Sequence, residues 1–319
     1  MIQLARQAMA ALAALGIIAL APAHTLKSVA DLPPQARPAD VPADYVITPM
    51  GYFHPSCVAR VKQGETIAAS GDLLAPNGQF RKVPACLHDR FDPRGQRRGG
   101  PVARPQETFD GWLAYSSANP SNSPPAQVMS ARWVVPAAPQ ANDGQVLYFF
   151  PGLETSPNSD SILQPVLAWN GYGDSAWTMT GWNCCIQGTV YNGQSIPVST
   201  GDEILGDMIG SSCASDGICS SWQIVSSDLT TGQSTTFSTS PYGQAFNWYF
   251  GGVMEVYGVG DCTDFPASGG IDFDRLLLTG LTSNVVTPAW VTSVTPGAPP
   301  CGFAVDTSAT TTRIRFSPN

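Results

Sequence analysis

From Phe109 to the C-terminus, the chain consists of short apolar or alternating runs separated by Gly, Pro, Asn, Ser and Asp. None of this part has the 3.6-residue period of a long amphipathic helix, and no repeat of fixed length is present. Many short runs joined by turn residues are typical of an all-β sandwich or barrel, and about 210 residues fit one such domain. The runs predicted as strands are 128–135, 146–150, 162–169, 177–182, 188–191, 203–209, 222–226, 235–238, 253–259, 271–278 and 311–316.

Residues 1–23 predict a secretory signal peptide. Arg6 gives a positive charge before the apolar stretch 8–21, which is short for a membrane span, and Ala21-Pro22-Ala23 is a small-x-small cleavage site. We therefore predict a secreted protein, extracellular or periplasmic, with no membrane partner after cleavage. We expect a monomer.

The eight cysteines predict disulfides, because an even number of cysteines is typical of exported chains. Nearness in sequence favours three local bridges and leaves the adjacent pair to each other. A structural zinc site is the alternative, but the mature histidines lie far from most cysteines in sequence, and we expect neither a metal nor a cofactor. The expected pairs are Cys57–Cys86, Cys213–Cys219, Cys262–Cys301 and the vicinal bridge Cys184–Cys185.

Charge divides the chain near a Gly- and Arg-rich stretch. Residues 24–105 carry eleven Lys/Arg and seven Asp/Glu, whereas residues 106–319 carry four Arg and seventeen Asp/Glu. We predict a basic pro-segment over 24–105, containing a small β-hairpin (57–61 and 66–70) and a linker, followed by a sandwich domain over 106–319.

The acidic part argues against nucleic acid as a partner. Two interpretations of the basic segment stay open. It covers the acidic domain as in a zymogen until pH or cleavage in the linker 90–104 releases it, or it is an unrelated arm beside a solvated acidic surface.

The acidic part also lacks the usual catalytic motifs. No histidine follows His88, which excludes a Ser-His or Cys-His pair within residues 106–319, and no Gly-x-Ser-x-Gly, His-Glu-x-x-His or P-loop sequence is present. If this domain is an enzyme, carboxylates and amides carry its reaction.

Three residues are candidates for that chemistry. Glu255 interrupts an apolar strand, and strand alternation would place it on one face with Val253, Tyr257 and Val259. Glu154 follows a buried-type strand, and Gln164 comes ten residues later on the next strand, so we expect these two to lie close together.

Each candidate also has a purely structural interpretation. Glu255 could be a carboxylate that backbone N–H groups satisfy, Gln164 could be an amide that pins neighbouring loops, and Glu154 could be a loop-end carboxylate. Four aromatic residues are predicted as walls of a substrate pocket, although tryptophans more often form core. They are Trp169, Trp182, Trp248 and Tyr257.

Several segments together resemble the eqolisins, which are glutamic peptidases. They are Ser-Ala-Arg-Trp-Val-Val-Pro (130–136), Phe-Pro-Gly-Leu-Glu (150–154), Ile-Leu-Gln (162–164), Gly-Asp-Glu-Ile (201–204), Leu-Thr-Thr-Gly-Gln-Ser (229–234) and Val-Met-Glu-Val (253–256). The segment Phe-Gly-Gly-Val-Met-Glu-Val (250–256) is also similar to one of the neprosin-type peptidases. The resemblance covers roughly residues 109–280.

The resemblance implies a concanavalin-like antiparallel β-sandwich with a Gln/Glu pair on its concave face. It implies a secreted hydrolase, an acid-acting endopeptidase that takes polypeptide substrates. Gln164 would stabilise the oxyanion, Glu255 would be the general base, and Glu154 would be a supporting residue.

A rival prediction is a carbohydrate-binding or glycan-hydrolysing protein on the same sandwich. A glycanase would need two carboxylates across a groove, for which Glu154 and Glu255 are the obvious pair. A lectin would need only exposed aromatic residues and, in one version, calcium at the acidic cluster Asp261, Asp264, Asp272 and Asp274; solvated turn carboxylates are the alternative for that cluster. A third prediction is a non-catalytic relative.

Overall fold

The computed structural model describes residues 25–97, 109–118, 120–156, 161–185, 188–240 and 243–318. The predicted signal peptide and the part of the predicted linker from residue 98 onward lie outside these ranges. Within the described residues, no helix has the length and apolar character that crossing a membrane requires.

The described residues form β-strands joined by turns and by short 3-10 helices, as the run pattern predicts. The strands are β1 (Val46–Thr48), β2 (Gly51–Phe53), β3 (Val58–Arg60), β4 (Thr66–Ile67), β5 (Leu73–Leu74), β6 (Phe80–Arg81), β7 (Phe109–Ala118), β8 (Ala126–Val134), β9 (Val146–Glu154), β10 (Ile162–Trp169), β11 (Trp177–Cys184), β12 (Val190–Asn192), β13 (Ile196–Pro197), β14 (Glu203–Ser211), β15 (Ser221–Asp228), β16 (Ser234–Thr239), β17 (Trp248–Val259), β18 (Gly270–Gly280), β19 (Trp290–Val294), β20 (Ala304–Ser308) and β21 (Thr311–Arg315). The 3-10 helices are Val29–Asp31, Pro34–Ala36, Pro55–Cys57, Pro120–Asn122 and Cys262–Asp264.

Two large sheets form the predicted sandwich. Sheet I has the strand order β19-β7-β17-β9-β10-β11-β12-β3, with β13 also paired to β11. Sheet II has the order β20-β21-β18-β8-β14-β15-β16-β4-β5-β6. Neighbouring strands are antiparallel except at β12–β3 and β16–β4, where the N-terminal part of the chain adds a parallel strand to each sheet.

The core between the sheets follows from strand alternation. Every second residue of a strand points to the same face, so β10 sends Leu163 and Leu167 inward to meet residues such as Trp133 of sheet II. Phe149 and Met254 contribute from the neighbouring strands of sheet I. This apolar burial is the main term that stabilises the sandwich.

The other face of sheet I is covered by the N-terminal segment, residues 25–97, which we call the arm. A second apolar cluster joins arm residues such as Tyr52 to Tyr148 and Tyr257 of sheet I. The Tyr148 hydroxyl donates a hydrogen bond of 3.2 Å to the Ile47 carbonyl, and the rings of Tyr52 and Tyr257 meet edge to face with centroids 5.2 Å apart. The outer face of sheet I is therefore buried by the arm.

The two strands of the predicted arm hairpin form, but they do not pair with each other. Strand β3 joins β12 of sheet I, and β4 joins β16 of sheet II. The turn between them is held by the Glu65 carboxylate, which accepts hydrogen bonds from the Lys62 backbone and the Arg81 guanidinium. The chain thus passes from one sheet to the other, because each sheet offers an unpaired edge. The antiparallel pairs of consecutive strands that the arm does contain are β1–β2, β4–β5 and β5–β6.

The four expected disulfides are all present. They are Cys57–Cys86, Cys184–Cys185, Cys213–Cys219 and Cys262–Cys301. One lies within the arm and three lie within the sandwich, so no disulfide of the described residues joins the two parts.

Strand β17 departs from regular pairing at several register shifts, two of which change the face that its side chains take. Its register against β9 shifts between Phe250 and Val253, and its register against β7 shifts between Val256 and Val259. Gly258 supplies the positive φ of 69° at the second shift. The predicted common face of Val253, Glu255, Tyr257 and Val259 is therefore wrong for Val259, which joins the core between the sheets.

Candidate active site

A cavity of about 380 Å³ lies between the arm and the outer face of sheet I. Both candidate residues of the β9–β10 pair, Glu154 and Gln164, line it. The aromatic side chains of Trp112, Tyr115, Trp248 and Phe250 form its walls, and the arm contributes Pro49, Met50, Arg90, Phe91 and Pro93 to its lining.

Gln164 is a fully buried amide at this cavity. Its side chain is 0% exposed, and neither its Nε2 nor its Oε1 has a hydrogen-bond partner among the described residues. A buried amide left unpaired costs about 1–3 kcal/mol. An unpaired buried amide calls for an explanation, and its position beside the cavity makes Gln164 a candidate binding residue.

Glu154 lies beside Gln164 at the end of β9. It pairs in register with Ile162 of β10 and with Trp248 of β17. Gln164 is two residues further along β10, so the two Cα atoms are about 8 Å apart. The Glu154 side chain is half-buried and faces the cavity. A carboxylate and an amide are thus brought to one cavity, as the sequence predicts for this pair.

Glu255 lies in a separate, closed environment. Its side chain is 0% exposed; Trp112 Nε1 donates to Oε2 at 2.8 Å and the Tyr257 hydroxyl donates to Oε1 at 2.5 Å. Burial raises the pKa of Glu255 well above its usual range, and the two donors oppose that rise. Burial, followed by the charge of Glu255, likewise raises the pKa of Tyr257.

The structure does not bring Gln164 and Glu255 within hydrogen-bonding reach. Glu255 pairs with Tyr148 of β9, whereas Gln164 lies four residues further along, at the level of Gly152, on the strand beyond. Strand spacing and rise put their Cα atoms about 16 Å apart. Phe150, which packs against Trp112 with ring centroids 5.8 Å apart, lies on the strand between them.

The predicted aromatic walls divide into three groups. Trp248 lines the cavity. Trp182 pairs in register with Gln164 and is buried in the cluster under the arm, and Tyr257 is buried beside Glu255. The prediction for Trp169 is wrong: alternation along β10 turns it to the core between the sheets, where its ring meets that of Trp177 at 5.2 Å.

Three features of the site were missed from the sequence. Trp112 and Tyr115 reach the cavity from β7, and the vicinal disulfide Cys184–Cys185 forms part of its wall beside Ile162. Strand-like alternation in 109–118 was the available signal for the two aromatic residues. Alternation predicts a strand there but not its neighbours, and it is the pairing of β7 with β17 that brings the two aromatic residues to the cavity.

The carboxylate pair that a glycanase would use is widely separated. Glu154 and Glu255 lie on adjacent strands six residue levels apart, which corresponds to about 20 Å between Cα atoms. Glycosidase carboxyl groups are about 5–9.5 Å apart. The register therefore disfavours glycan hydrolysis by this pair.

The acidic residues near the C-terminus serve turns and ion pairs. Asp261 caps the helix Cys262–Asp264, and Asp272 accepts from Arg315. Among the described residues, no group of three or more His, Cys, Asp or Glu side chains is arranged to hold a metal ion.

No family model matches the chain, and neither does any curated protein. Among solved structures, the chain is similar to scytalido-glutamic peptidase bound to a peptide-based transition state analog, with 18% identity, a TM-score of 0.47, and coverage of 66% of this chain and 99% of that chain.

Two further solved structures are similar. One is SCP-B, a member of the eqolisin family of peptidases in complex with the tripeptide Ala-Ile-His, with 18% identity, a TM-score of 0.46 and coverage of 66% and 99%. The other is aspergilloglutamic peptidase from Aspergillus niger, with 18% identity, a TM-score of 0.40 and coverage of 54% and 98%. These are the glutamic peptidases that the sequence motifs resemble. At such identities and TM-scores the likeness does not by itself assign a reaction to this chain.

Proposed function

We propose that the protein hydrolyses peptide bonds in acid, as an exported endopeptidase of the glutamic type. The observation that carries the proposal is the Gln164 amide, which is fully buried, unpartnered among the described residues and adjacent to an aromatic-walled cavity. Two glutamates, Glu154 and Glu255, lie on the outer face of the same sheet. The four disulfides are typical of an exported protein.

The reaction needs one amide donor and one carboxylate. The amide N–H of Gln164 would donate to the oxyanion of the tetrahedral intermediate, a role worth roughly 2.7–4 kcal/mol for a comparable donor. An ionised glutamate would take a proton from water and return it to the leaving amine. The base must be ionised, so activity should fall as pH drops through the pKa of the catalytic glutamate, and the acidic working range itself is proposed from the resemblance to the eqolisins.

We propose further that the arm is an inhibitory pro-segment. Five arm residues line the cavity that Gln164 also lines, and Phe91 among them is 7% exposed. The arm residues occupy one side of this space of about 380 Å³, where they would compete with a polypeptide substrate for the aromatic walls. Release of the arm, by acid or by cleavage in the linker, would open the cavity.

The test is cleavage of a denatured protein substrate by the full secreted chain, residues 24–319, from pH 2 to pH 7. The full chain is used because the arm adds β3 and β4 to the two sheets. A second sample is first nicked in the Arg-rich linker with a protease that is then inhibited. Gln164→Ala is assayed beside the wild type, and Gln140→Ala serves as a matched control in an exposed loop.

We expect acid-limited cleavage that is stronger in the nicked sample. Gln164→Ala should lower kcat about 10²–10³-fold, and Gln140→Ala should not. If the folded wild type, nicked or intact, cleaves no substrate at any pH, the proposed function is wrong. Full activity in a folded Gln164→Ala variant would contradict the role given to the amide.

A further inference from the structure

We infer that Glu154, and not Glu255, is the general base of this site; the inference rests on the proposed peptidase function. Glu255 is the glutamate that the sequence resemblance indicates. Glu154 and Gln164, however, both line the cavity, and Glu255 does not.

The first argument is the placement of Glu154. It ends β9 directly opposite Ile162, two residues from Gln164 on the neighbouring strand, and both side chains reach the same cavity. A Cα separation of about 8 Å lets a glutamate and a glutamine converge on one water molecule and one carbonyl group. The strand end is fixed, because the Asn247 backbone N–H donates to the Glu154 carbonyl at 3.2 Å.

The second argument is the environment of Glu255. Each of its carboxylate oxygens already accepts a hydrogen bond, from Trp112 at 2.8 Å and from Tyr257 at 2.5 Å. It does not line the cavity, and Phe150 lies on the strand between it and Gln164. With their Cα atoms about 16 Å apart on strands that flank β9, Glu255 and Gln164 are poorly placed to act on the same water molecule.

These placements give Glu255 a different task. Glu255 and Trp112 pair in register across β17 and β7, so their hydrogen bond ties together the two strands that carry Trp248, Phe250 and Tyr115 to the cavity. Glu255 is therefore a structural residue that supports the aromatic wall.

The proton balance at Glu154 is complete without any further group. The Glu154 carboxylate takes a proton from water as the water oxygen bonds to the substrate carbonyl carbon, and the carbonyl electron pair moves to the oxygen that Gln164 binds. The carbon–nitrogen bond then breaks as the oxyanion reforms the carbonyl, and the protonated Glu154 gives its proton to the departing amine.

The experiment compares Glu154→Gln, Glu154→Asp and Glu255→Gln in the nicked full chain, with Glu203→Gln as the control. Glu203 lies on sheet II, where its carboxylate pairs with Arg132 at 3.0 Å, away from the cavity. Circular dichroism and urea unfolding establish that each variant is folded. The measurements are kcat and KM for a peptide substrate from pH 2 to pH 7.

We expect Glu154→Gln to lower kcat about 10²–10⁴-fold, with KM little changed. It should also remove the acid limb of the pH profile, which is the fall in kcat at low pH as the base becomes protonated. Glu154→Asp should restore part of kcat together with the acid limb, which a merely structural role would not require. Glu255→Gln should keep the acid limb, and any loss it causes should follow its effect on folding stability.

Loss of kcat and of the acid limb in folded Glu255→Gln, with both retained in Glu154→Gln, would overturn the assignment and leave the proposed function standing. An equal loss in both variants would also overturn it, because Glu154 would then not act in place of Glu255. A wild type with no activity would instead show that the proposed function has failed. If Glu154→Gln does not fold, Glu154→Asp decides: an unchanged acid limb and unchanged kcat in that variant would contradict the inference.

Discussion

Buried carboxyl groups differ in the donors that bind them, and Glu255 and Asp264 show this difference among the described residues. Glu255 accepts from two side chains, Trp112 on the neighbouring strand β7 and Tyr257 on its own strand. Asp264 accepts instead from the backbone N–H groups of Gly260 and Asp261, at 2.7 and 3.1 Å. Both side chains are at most 1% exposed, so both lose hydration when ionised.

Asp264 should make folding stability depend on pH. Burial, with the nearby Asp143 carboxyl adding to it, raises the pKa of Asp264 from 3.8 to about 6, although its two backbone donors oppose the rise. Between those values the folded state keeps a proton that the unfolded chain has lost, so the free energy of unfolding falls as pH rises. A rise of two pKa units corresponds to on the order of 3 kcal/mol across the window.

We expect Asp264→Asn to flatten this dependence, as measured by urea unfolding at pH 4, 5, 6 and 7. The matched control is Asp261→Asn, because hydrogen bonds from Thr263 lower the pKa of Asp261. Asp261→Asn should lose more stability at pH 7 than at pH 3, because the native Asp261 stabilises the fold in its ionised form. This pH dependence is opposite to that of Asp264, which stabilises the fold in its protonated form. An unchanged slope between pH 4 and pH 6 in folded Asp264→Asn would show that Asp264 does not hold its proton in this range.

Residue chemistry explains which site residues could be predicted from the sequence. Glu154, Gln164 and Glu255 stood out because each is polar in or beside an apolar run. Their distances from one another could not be predicted, because distance depends on which strands pair and in which register. A shift of two residues along a strand moves a side chain by about 6.6 Å, enough to separate a base from its partner.

At the scale of the strand, β17 shows how an irregular backbone changes what the side chains do. The bulge at Gly258 turns Val259 into the core between the sheets, although Tyr257 stays on the outer face. Every run predicted as a strand overlaps a strand of the structure, because alternation and turn residues are local signals. Bulges and the pairing of β3 and β4 with separate sheets are decided by contacts distant in sequence.

Gly258 should be intolerant of a side chain for two separable reasons. Its φ of 69° is unfavourable for any residue with a Cβ atom, and an added Cβ would lie 3.0 Å from Leu32 Cδ2 of the arm. Gly232 has a φ of 78° with nothing within 4 Å of its Cβ position, so Gly232→Ala carries only the first cost.

We therefore expect Gly258→Ala to lower the free energy of unfolding more than Gly232→Ala, by about 1 kcal/mol. Urea unfolding of both variants measures the difference. Gly258→Ala should also make the arm more accessible to limited proteolysis, because the added methyl group presses on Leu32. Equal destabilisation in the two variants would mean that the arm moves away from this position without cost.

At the scale of the whole molecule, the arm is bound to the sandwich without a covalent bridge other than the chain itself. Its disulfide, Cys57–Cys86, is internal, and the other three lie within residues 184–301. Yet β3 and β4 extend the two sheets, and Lys27 donates to the Gly144 carbonyl at 2.5 Å. The charge division of the sequence indicated that the arm and the sandwich are distinct parts, but it could not predict that the arm would complete both sheets.

A cut in the linker should therefore break the chain into two fragments that stay associated in the folded protein. We expect trypsin at pH 7 to cleave within the Arg-rich stretch 90–104, giving two fragments on a non-reducing denaturing gel because no disulfide of the described residues joins the arm to the sandwich. On size exclusion at pH 7 the same sample should elute as one particle, because strand pairing and the apolar cluster around Tyr52 and Tyr257 hold the arm in place.

Fragments that stay joined on the gel would contradict the disulfide pairing, and fragments that separate on the column would contradict the integration of β3 and β4. Uncut protein run in parallel fixes both reference positions. Repeating the column run at pH 3 measures whether acid releases the arm, which the proposed activation by acid alone would require.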